Sequence, residues 1–264
     1  IMADWIASNE SFFPLIPIDK LSVENMEQRI AAGWIKWYQT APRIEAEHTD
    51  IVLDYKKRFG FEPNDLQKEL FEIIEETIRP GIIIVEAPMG VGKTEAALIG
   101  VEQLSMKTKA SGMFFGLPTQ ATSDGIFGRI EEWLEKLDDE KKSLQLVHGK
   151  AALNDSYTSL PRSNIYDESD KGIVVNQWFT GRKTAVLDDF IVGTIDHFLM
   201  TALKQKHLAL RHLGFSKKVI VIDEVHAYDA YMNQYLCRAL RWMGAYGVPV
   251  LILSATLPAK TRMK

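Results

Sequence analysis

The sequence predicts an α/β protein in which a parallel sheet is covered by helices on both faces and preceded by a helical segment. Three observations carry that expectation. From residue 63 onward, short runs of Val, Ile and Leu alternate with longer amphipathic stretches, the order that sandwiches buried parallel strands between helical layers. A glycine-rich turn, "APMGVGKT", stands between one such run and a helix-forming stretch. A second run, "VIVIDEV", ends in two adjacent carboxylates, which puts both at the carboxyl edge of the sheet beside the glycine turn.

Composition sets the frame for these signals. The chain has 264 residues, 46% hydrophobic and 25% charged, enough for one large domain or a domain with part of another. A net charge of −4 gives no bulk argument for nucleic-acid binding, which would need local patches. The single cysteine, Cys237, excludes an internal disulfide framework and a cysteine zinc site, and fits a reducing compartment. No run approaches the ~18 to 20 apolar residues of a membrane span. The opening "IMADWIASNE" lacks the basic start and apolar run of a secretory signal, so a cytoplasmic location and no membrane partner are expected.

Taken in order, "FFPLIPI" carries Pro14 and Pro17 and reads as a turn or extended connector. "SVENMEQRIAAGWIKWYQ" predicts a helix with Ser22 as N-cap, and Met26, Ile30, Trp34, Ile35 and Trp37 fall on a face expected to pack in a core. Residues 48–62, charged around "YKKRFGFEP", read as a linker. "GIIIVEA" is then a strand leading to a helix from Lys93, and "GMFFGL" a strand before a helix through "IFGRIEEWLEKL". "LQLVHG" ends in a loop. "DFIVGTI" precedes the helix "DHFLMTALKQ", "KVIVIDE" precedes a helix through "MNQYLCRALRWMGAY", and "VPVLILSAT" is the last strand. Residues 150–186 break the rhythm and read as an inserted, partly exposed loop region.

The glycine turn lies where phosphate binding is physically easy, because backbone N–H groups and the helix dipole converge on an anion at a helix N-terminus. Gly90 and Gly92 permit close backbone approach, Lys93 would reach the β/γ phosphates, and the Thr94 hydroxyl would hold Mg²⁺. Pro88, Met89, Val91 and Glu95 complete the candidate nucleotide-binding set. Ala87, where the general phosphate-loop pattern has Gly, falls at the strand exit, where a small residue suffices. Of the acid pair, Asp223 can hold the magnesium water shell and Glu224 can orient and deprotonate an attacking water. Two carboxylates at the end of an apolar run are costly unless a cation compensates them.

In chain order, "FEPNDLQ", "APMGVGKT", "GLPTQAT", "VGTIDH", "DEVH" and "SAT" resemble the Q motif and motifs I, Ia, Ib, II and III of superfamily 2 DExH helicases, over residues 61–257. In that superfamily motif I commonly begins with Ala, as here. The resemblance implies a RecA-like P-loop domain with ATP and Mg²⁺ as cofactors, and Gln67 as the adenine contact. It also implies coupling through His226, Ser254 and Thr256, and contacts from Pro118, Thr119, Gln120, Gly193, Thr194 and Asp196 to single-stranded DNA. Contacts of this kind grip phosphates without reading sequence. The basic stretch Lys204 to Lys218, and Arg182 with Lys183, could add attraction or be ordinary solvated faces.

"LPTQATSDGIFGRI", "GRKTAVLDDFIVGTIDHFLMTAL" and "IDEVHAYDAYM" together resemble the CRISPR-associated helicase–nuclease of type I systems. In that family an HD-type nuclease domain precedes the motor, and "ADWIASNESFFP" is similar to its ending. Asp4 would then be a surviving ligand of a divalent transition metal, against the plainer reading of a surface acid or helix cap. The resemblance divides the chain into a nuclease remnant at 1–20, a helical linker at 21–62 and a first RecA-like domain at 63–264. A second RecA-like domain, which supplies arginine fingers, is expected outside this chain. Its loss would cost on the order of 10³ to 10⁵ in rate, so the chain alone is expected to turn ATP over poorly. The expected function is an ATP-dependent single-stranded-DNA translocase working 3′ to 5′ with an RNA-guided surveillance complex in antiviral defence. A general DExH DNA or RNA helicase and a nucleotide-switched binding module are the alternatives. A P-loop kinase fits least, because nothing after "SAT" resembles a lid.

Overall fold

The alternating pattern builds one eight-stranded sheet, in a computed structural model that describes residues 7–10, 12–20, 25–38, 50–137, 142–163, 172–176, 179–181 and 184–256. The chain divides into two units, Ile1–Ala41 and Pro42–Lys264.

In the first unit, α1 (Met26–Tyr38) bears out the helical spacing, and Arg29 donates to the Pro14 carbonyl at 2.5 Å. Its apolar face is not the core face expected. Met26, Ile30, Trp34 and Ile35 are 46–55% exposed. Ser22 and Asp4 lie outside the described residues.

In the second unit the helices are α2 (Ile51–Phe59), α3 (Asp65–Glu76), α4 (Lys93–Thr108), α5 (Gln120–Glu135), α6 (Asp155–Ser159), α7 (Asp196–Leu199), α8 (Leu208–Phe215) and α9 (Ala230–Tyr246). The strands are β1 (Ile82–Glu86), β2 (Gly112–Leu117), β3 (Lys142–Val147), β4 (Arg162–Ser163), β5 (Ile173–Asn176), β6 (Phe190–Thr194), β7 (Lys218–Ile222) and β8 (Val250–Ser254). They lie in the order β1-β8-β7-β2-β6-β3-β5-β4, and every described pairing is parallel.

Alternation along each strand divides the core between two faces. Met113, Phe115, Val219, Val221, Leu251 and Leu253 face α3, α4 and α5. Phe114, Ile220, Ile222, Val250 and Ile252 face α7, α8 and α9. Coverage fails at the β1 edge, where Ile82 and Ile84 remain 50% and 41% exposed.

Three segments depart from the sequence reading. Within the expected linker, α2 is a capped helix: the Asp50 side chain accepts from the Val52 N–H, and Gly60 closes the other end in the left-handed region. It is tied into the domain by Arg58, whose guanidinium forms a buried pair with Glu102 on α4 at 2.9 Å and also donates to the Lys136 carbonyl. The Trp133 indole donates to the same carboxylate at 2.7 Å. The expected insertion at 150–186 is partly regular, since β4 and β5 extend the sheet beyond β3. The predicted helix "DHFLMTALKQ" is short, with α7 followed by a three-residue 3₁₀ turn at Met200–Ala202.

Candidate functional site

Register brings the carboxyl ends of the central strands to one edge, with Glu86 opposite Ser254, Gly116 opposite Ile222, and Leu117 opposite Thr194. Ala87 sits at the β1 exit, buried, its N–H donating to the Ser254 carbonyl at 3.1 Å. Gly90 and Gly92 turn the loop with φ of 79° and 80°, which an L side chain rarely adopts. Gly92 is the N-cap of α4 and supplies no side-chain cap, so the first-turn N–H groups keep their capacity for an anion. The Lys93 ammonium folds back onto the carbonyls of Ala87 at 2.5 Å and Pro88 at 2.7 Å, which sets it over the loop. Thr94 and Glu95 follow in the first turn.

The loop is braced from α3. Asn64 caps that helix and donates through its amide to the Val91 carbonyl at 3.0 Å. Gln67, expected to contact the base, is buried with both ends of its amide engaged. Its oxygen accepts from the Asn64 N–H at 3.0 Å, and its nitrogen donates to the Gly92 carbonyl at 3.1 Å. In this arrangement Gln67 holds the phosphate loop in shape.

Facing the loop, β7 delivers Asp223 and Glu224. The Asp223 N–H donates to the Gly116 carbonyl at 2.9 Å, and the Tyr228 hydroxyl donates to the Asp223 carbonyl at 3.2 Å. Glu224 takes a left-handed backbone, φ 53°, and donates its N–H to the Asp223 carboxylate at 2.8 Å. A non-glycine residue held there stores strain of the kind found at functional sites. Burial raises the Asp223 carboxyl above its ordinary value, and the charge of Glu224 adds to that. The Glu224 N–H and the positive charge of Lys93 oppose it. A carboxylate destabilised by burial is relieved by a bound cation. With the Thr94 hydroxyl it offers the hard oxygen ligands that suit Mg²⁺.

His226 links this pair to β8. Its Nδ1 lies 3.4 Å from the Ser254 hydroxyl and accepts from the Ala255 N–H at 3.4 Å, while the Ser254 hydroxyl donates to the Thr256 carbonyl at 2.9 Å. Thr256 therefore enters through its backbone and Ser254 through its side chain.

These groups surround one cavity of about 610 Å³, within the range of small-ligand sites. Met89 to Glu95, Asp223, Glu224 and His226 line it, as do Phe61, Asn64 and the α5 residues Thr122, Ile126 and Arg129. Phe61, Asn64 and Arg129 were not among the sequence candidates. Phe61 and Asn64 stand inside the quoted "FEPNDLQ". Arg129 is signalled only by helical spacing, since Thr122, Gly125, Ile126 and Arg129 form a single stripe.

Beside the cavity, Thr119 caps α5 by accepting from the Thr122 N–H at 3.2 Å, and both Thr119 and Gln120 are exposed. Pro118 is partly exposed. Asp196 is exposed, but Gly193 and Thr194 are buried as the last residues of β6, so their reach toward a strand is limited. Lys218 leaves the basic stretch altogether. Its ammonium is buried and donates to the Gly214 carbonyl at 2.6 Å. Arg182 and Lys183 lie outside the described residues. Among the described residues no group of three or more His, Cys, Asp or Glu could hold a metal, and no helix is long and apolar enough to cross a membrane.

A parallel sheet carrying an uncapped phosphate loop after its edge strand, with a carboxylate pair facing the loop across one cavity, defines a RecA-like P-loop nucleotide-binding domain. Residues 64–264 match the DEAD/DEAH box helicase family, and the chain belongs to it. It is similar to the CRISPR-associated nuclease/helicase Cas3 of Streptococcus thermophilus, 62% identical over the whole chain and 29% of that protein's length. A crystal structure of T. fusca Cas3 superposes with a TM-score of 0.84 at 32% identity, covering 99% of this chain and 30% of that one. A chain in a CRISPR RNA-guided surveillance complex, in a pre-nicking state, matches with a TM-score of 0.62 at 29% identity, over 99% of this chain and 25% of its own. The chain thus spans under a third of the length of these relatives.

Proposed function

We propose that this domain is the ATP-binding half of a motor that translocates 3′ to 5′ along single-stranded DNA and serves RNA-guided CRISPR type I antiviral interference. The full-length protein would couple the motor to a metal-dependent DNA nuclease, to which Asp4 contributes a ligand. The observation that carries the reading is the uncapped N-terminus of α4 facing Asp223 and Glu224 across a single cavity. That arrangement suits a polyphosphate, whose transfer chemistry depends on positioning and charge stabilisation.

In this reading Lys93 leaves the Ala87 and Pro88 carbonyls for the terminal phosphates, while Thr94 and Asp223 would hold magnesium, which when bound would neutralise phosphate charge. Glu224 orients the attacking water and accepts its proton. Transition-state charge is left to arginines of a second motor domain. His226 and Ser254 relay the occupancy of the site to β8, and Thr119, Gln120 and Asp196 grip the strand. The similarity to Cas3 proteins supports the defence context, and the surveillance-complex match supports an RNA-guided partner.

The test is ATP hydrolysis by the full-length protein with and without single-stranded DNA. Stimulation by DNA is expected, with its loss in Lys93→Ala and Glu224→Gln. Hydrolysis that ignores DNA, or binding of a partner gated by ATP without turnover, would replace the motor with a nucleotide-controlled switch.

A further inference from the structure

Helix α5 has an unusual position: its N-terminus carries the exposed Thr119 and Gln120, while its Thr122–Arg129 stripe lines the nucleotide cavity. A rigid helix of this kind touches both proposed ligands at once. It is fastened to the phosphate loop at one charged point. Arg129 pairs with Glu95, and Glu95 directly follows Thr94 in the first turn of α4. The Glu95 carboxylate is largely buried at 15% exposure, whereas the Arg129 guanidinium is half exposed to the cavity at 49%. Each group has a physical reason to be there. A carboxylate one residue from a polyphosphate site repels the ligand unless it is neutralised, and a guanidinium neutralises it in a fixed, directional way.

We propose that the Arg129–Glu95 pair is the positioning link through which the nucleotide loop and the strand-gripping end of α5 sense each other. The inference rests on the motor reading above. Nucleotide binding sets the first turn of α4, the ion pair transmits that setting to α5, and α5 carries it to Thr119 and Gln120. Removing either partner frees α5 from the loop, so each ligand then binds without knowledge of the other. Linkage requires the effect to be reciprocal.

The experiment measures the affinity of the full chain for a fluorescein-labelled oligodeoxythymidylate by anisotropy, with and without a non-hydrolysable ATP analogue and Mg²⁺. A parallel titration measures the analogue with and without DNA. In the parent, each ligand is expected to shift the other's affinity by the same factor, of roughly 5-fold or more. In R129A and E95Q the factor is expected to fall to about one, whatever change each makes in the affinity for either ligand alone. R129K keeps the charge but loses the planar fork, and an intermediate factor is expected. The charge-swapped E95R/R129E pair should recover part of the parent's factor, and no recovery with both ligands bound would overturn the pair as the link. A parent factor of one, or a parent-like factor in R129A, also overturns it. If the parent binds neither ligand, the motor reading itself fails, an outcome distinct from loss of coupling alone. A purely structural role would lower thermal stability in R129A and leave the factor unchanged.

Discussion

Replacing Arg58 by Met tests whether the segment before the nucleotide-binding domain belongs to its core. Arg58 is 5% exposed and Glu102 is fully buried, and the two meet through guanidinium contacts of 3.0 and 2.9 Å. Removing the cation strands a buried carboxylate, which costs roughly 3–5 kcal/mol. For a domain of this size each kcal/mol lowers Tm by ~2–4 °C, so a fall of about 6–20 °C is expected. The loss is a large share of a total stability of ~5–15 kcal/mol. The assay is urea and thermal unfolding followed by far-ultraviolet circular dichroism. The double variant Arg58→Met, Glu102→Leu separates charge from packing, because apolar replacement of both partners is often neutral or stabilising. A single variant within about 1 kcal/mol of the parent, or a double variant as unstable as the single, would refute the argument.

Asp223→Asn should stabilise the nucleotide-free chain at pH 7 and abolish hydrolysis. Burial raises the folded-state pKa of Asp223, so the folded form holds the proton more tightly and stability falls as pH rises through the window above the ordinary carboxylate value. The advantage of Asn should vanish below about pH 4, and a Tm gap that ignores pH would exclude this cause. Gly92→Ala places a Cβ at a φ of 80° and 2.5 Å from the Gln67 amide nitrogen, distorting the loop. A strain of ~1–2 kcal/mol corresponds to about a tenfold loss of nucleotide affinity by calorimetry, and an unchanged Kd would contradict it. Gly112→Ala drives a Cβ to 2.0 Å from the Asp189 carbonyl oxygen, a backbone atom that cannot swing aside. The cost should be ~1–3 kcal/mol in chemical unfolding, and a neutral result would mean the two strands part more easily than their packing implies.

The sequence by itself determined the α/β class, the strands β1, β2, β3, β6, β7 and β8 with the helices α4, α5 and α9, and the loop with its facing acids. These follow from short-range signals: near-continuous apolar runs in the strands, a period near 3.6 in the helices, and "GVGKT" at a strand-to-helix junction. Runs such as "GMFFGL" and "VLILS" carry enough apolar surface that burial is strongly favoured, and both became interior strands. The structure decided what depends on partners distant in the chain. Residues 51–59 read as polar linker because the partners of Arg58, Glu102 and the Lys136 carbonyl, lie 44 and 78 positions away. Gln67 became a brace because its amide meets the Gly92 carbonyl, 25 positions on. Gly193, Thr194 and Lys218 look polar or small in sequence, yet their strands draw them inside. The Arg129–Glu95 contact, across 34 positions, has no local signature at all. Charge pairing acts through space, so which arginine meets which carboxylate is fixed only when the helices that carry them are laid against the sheet.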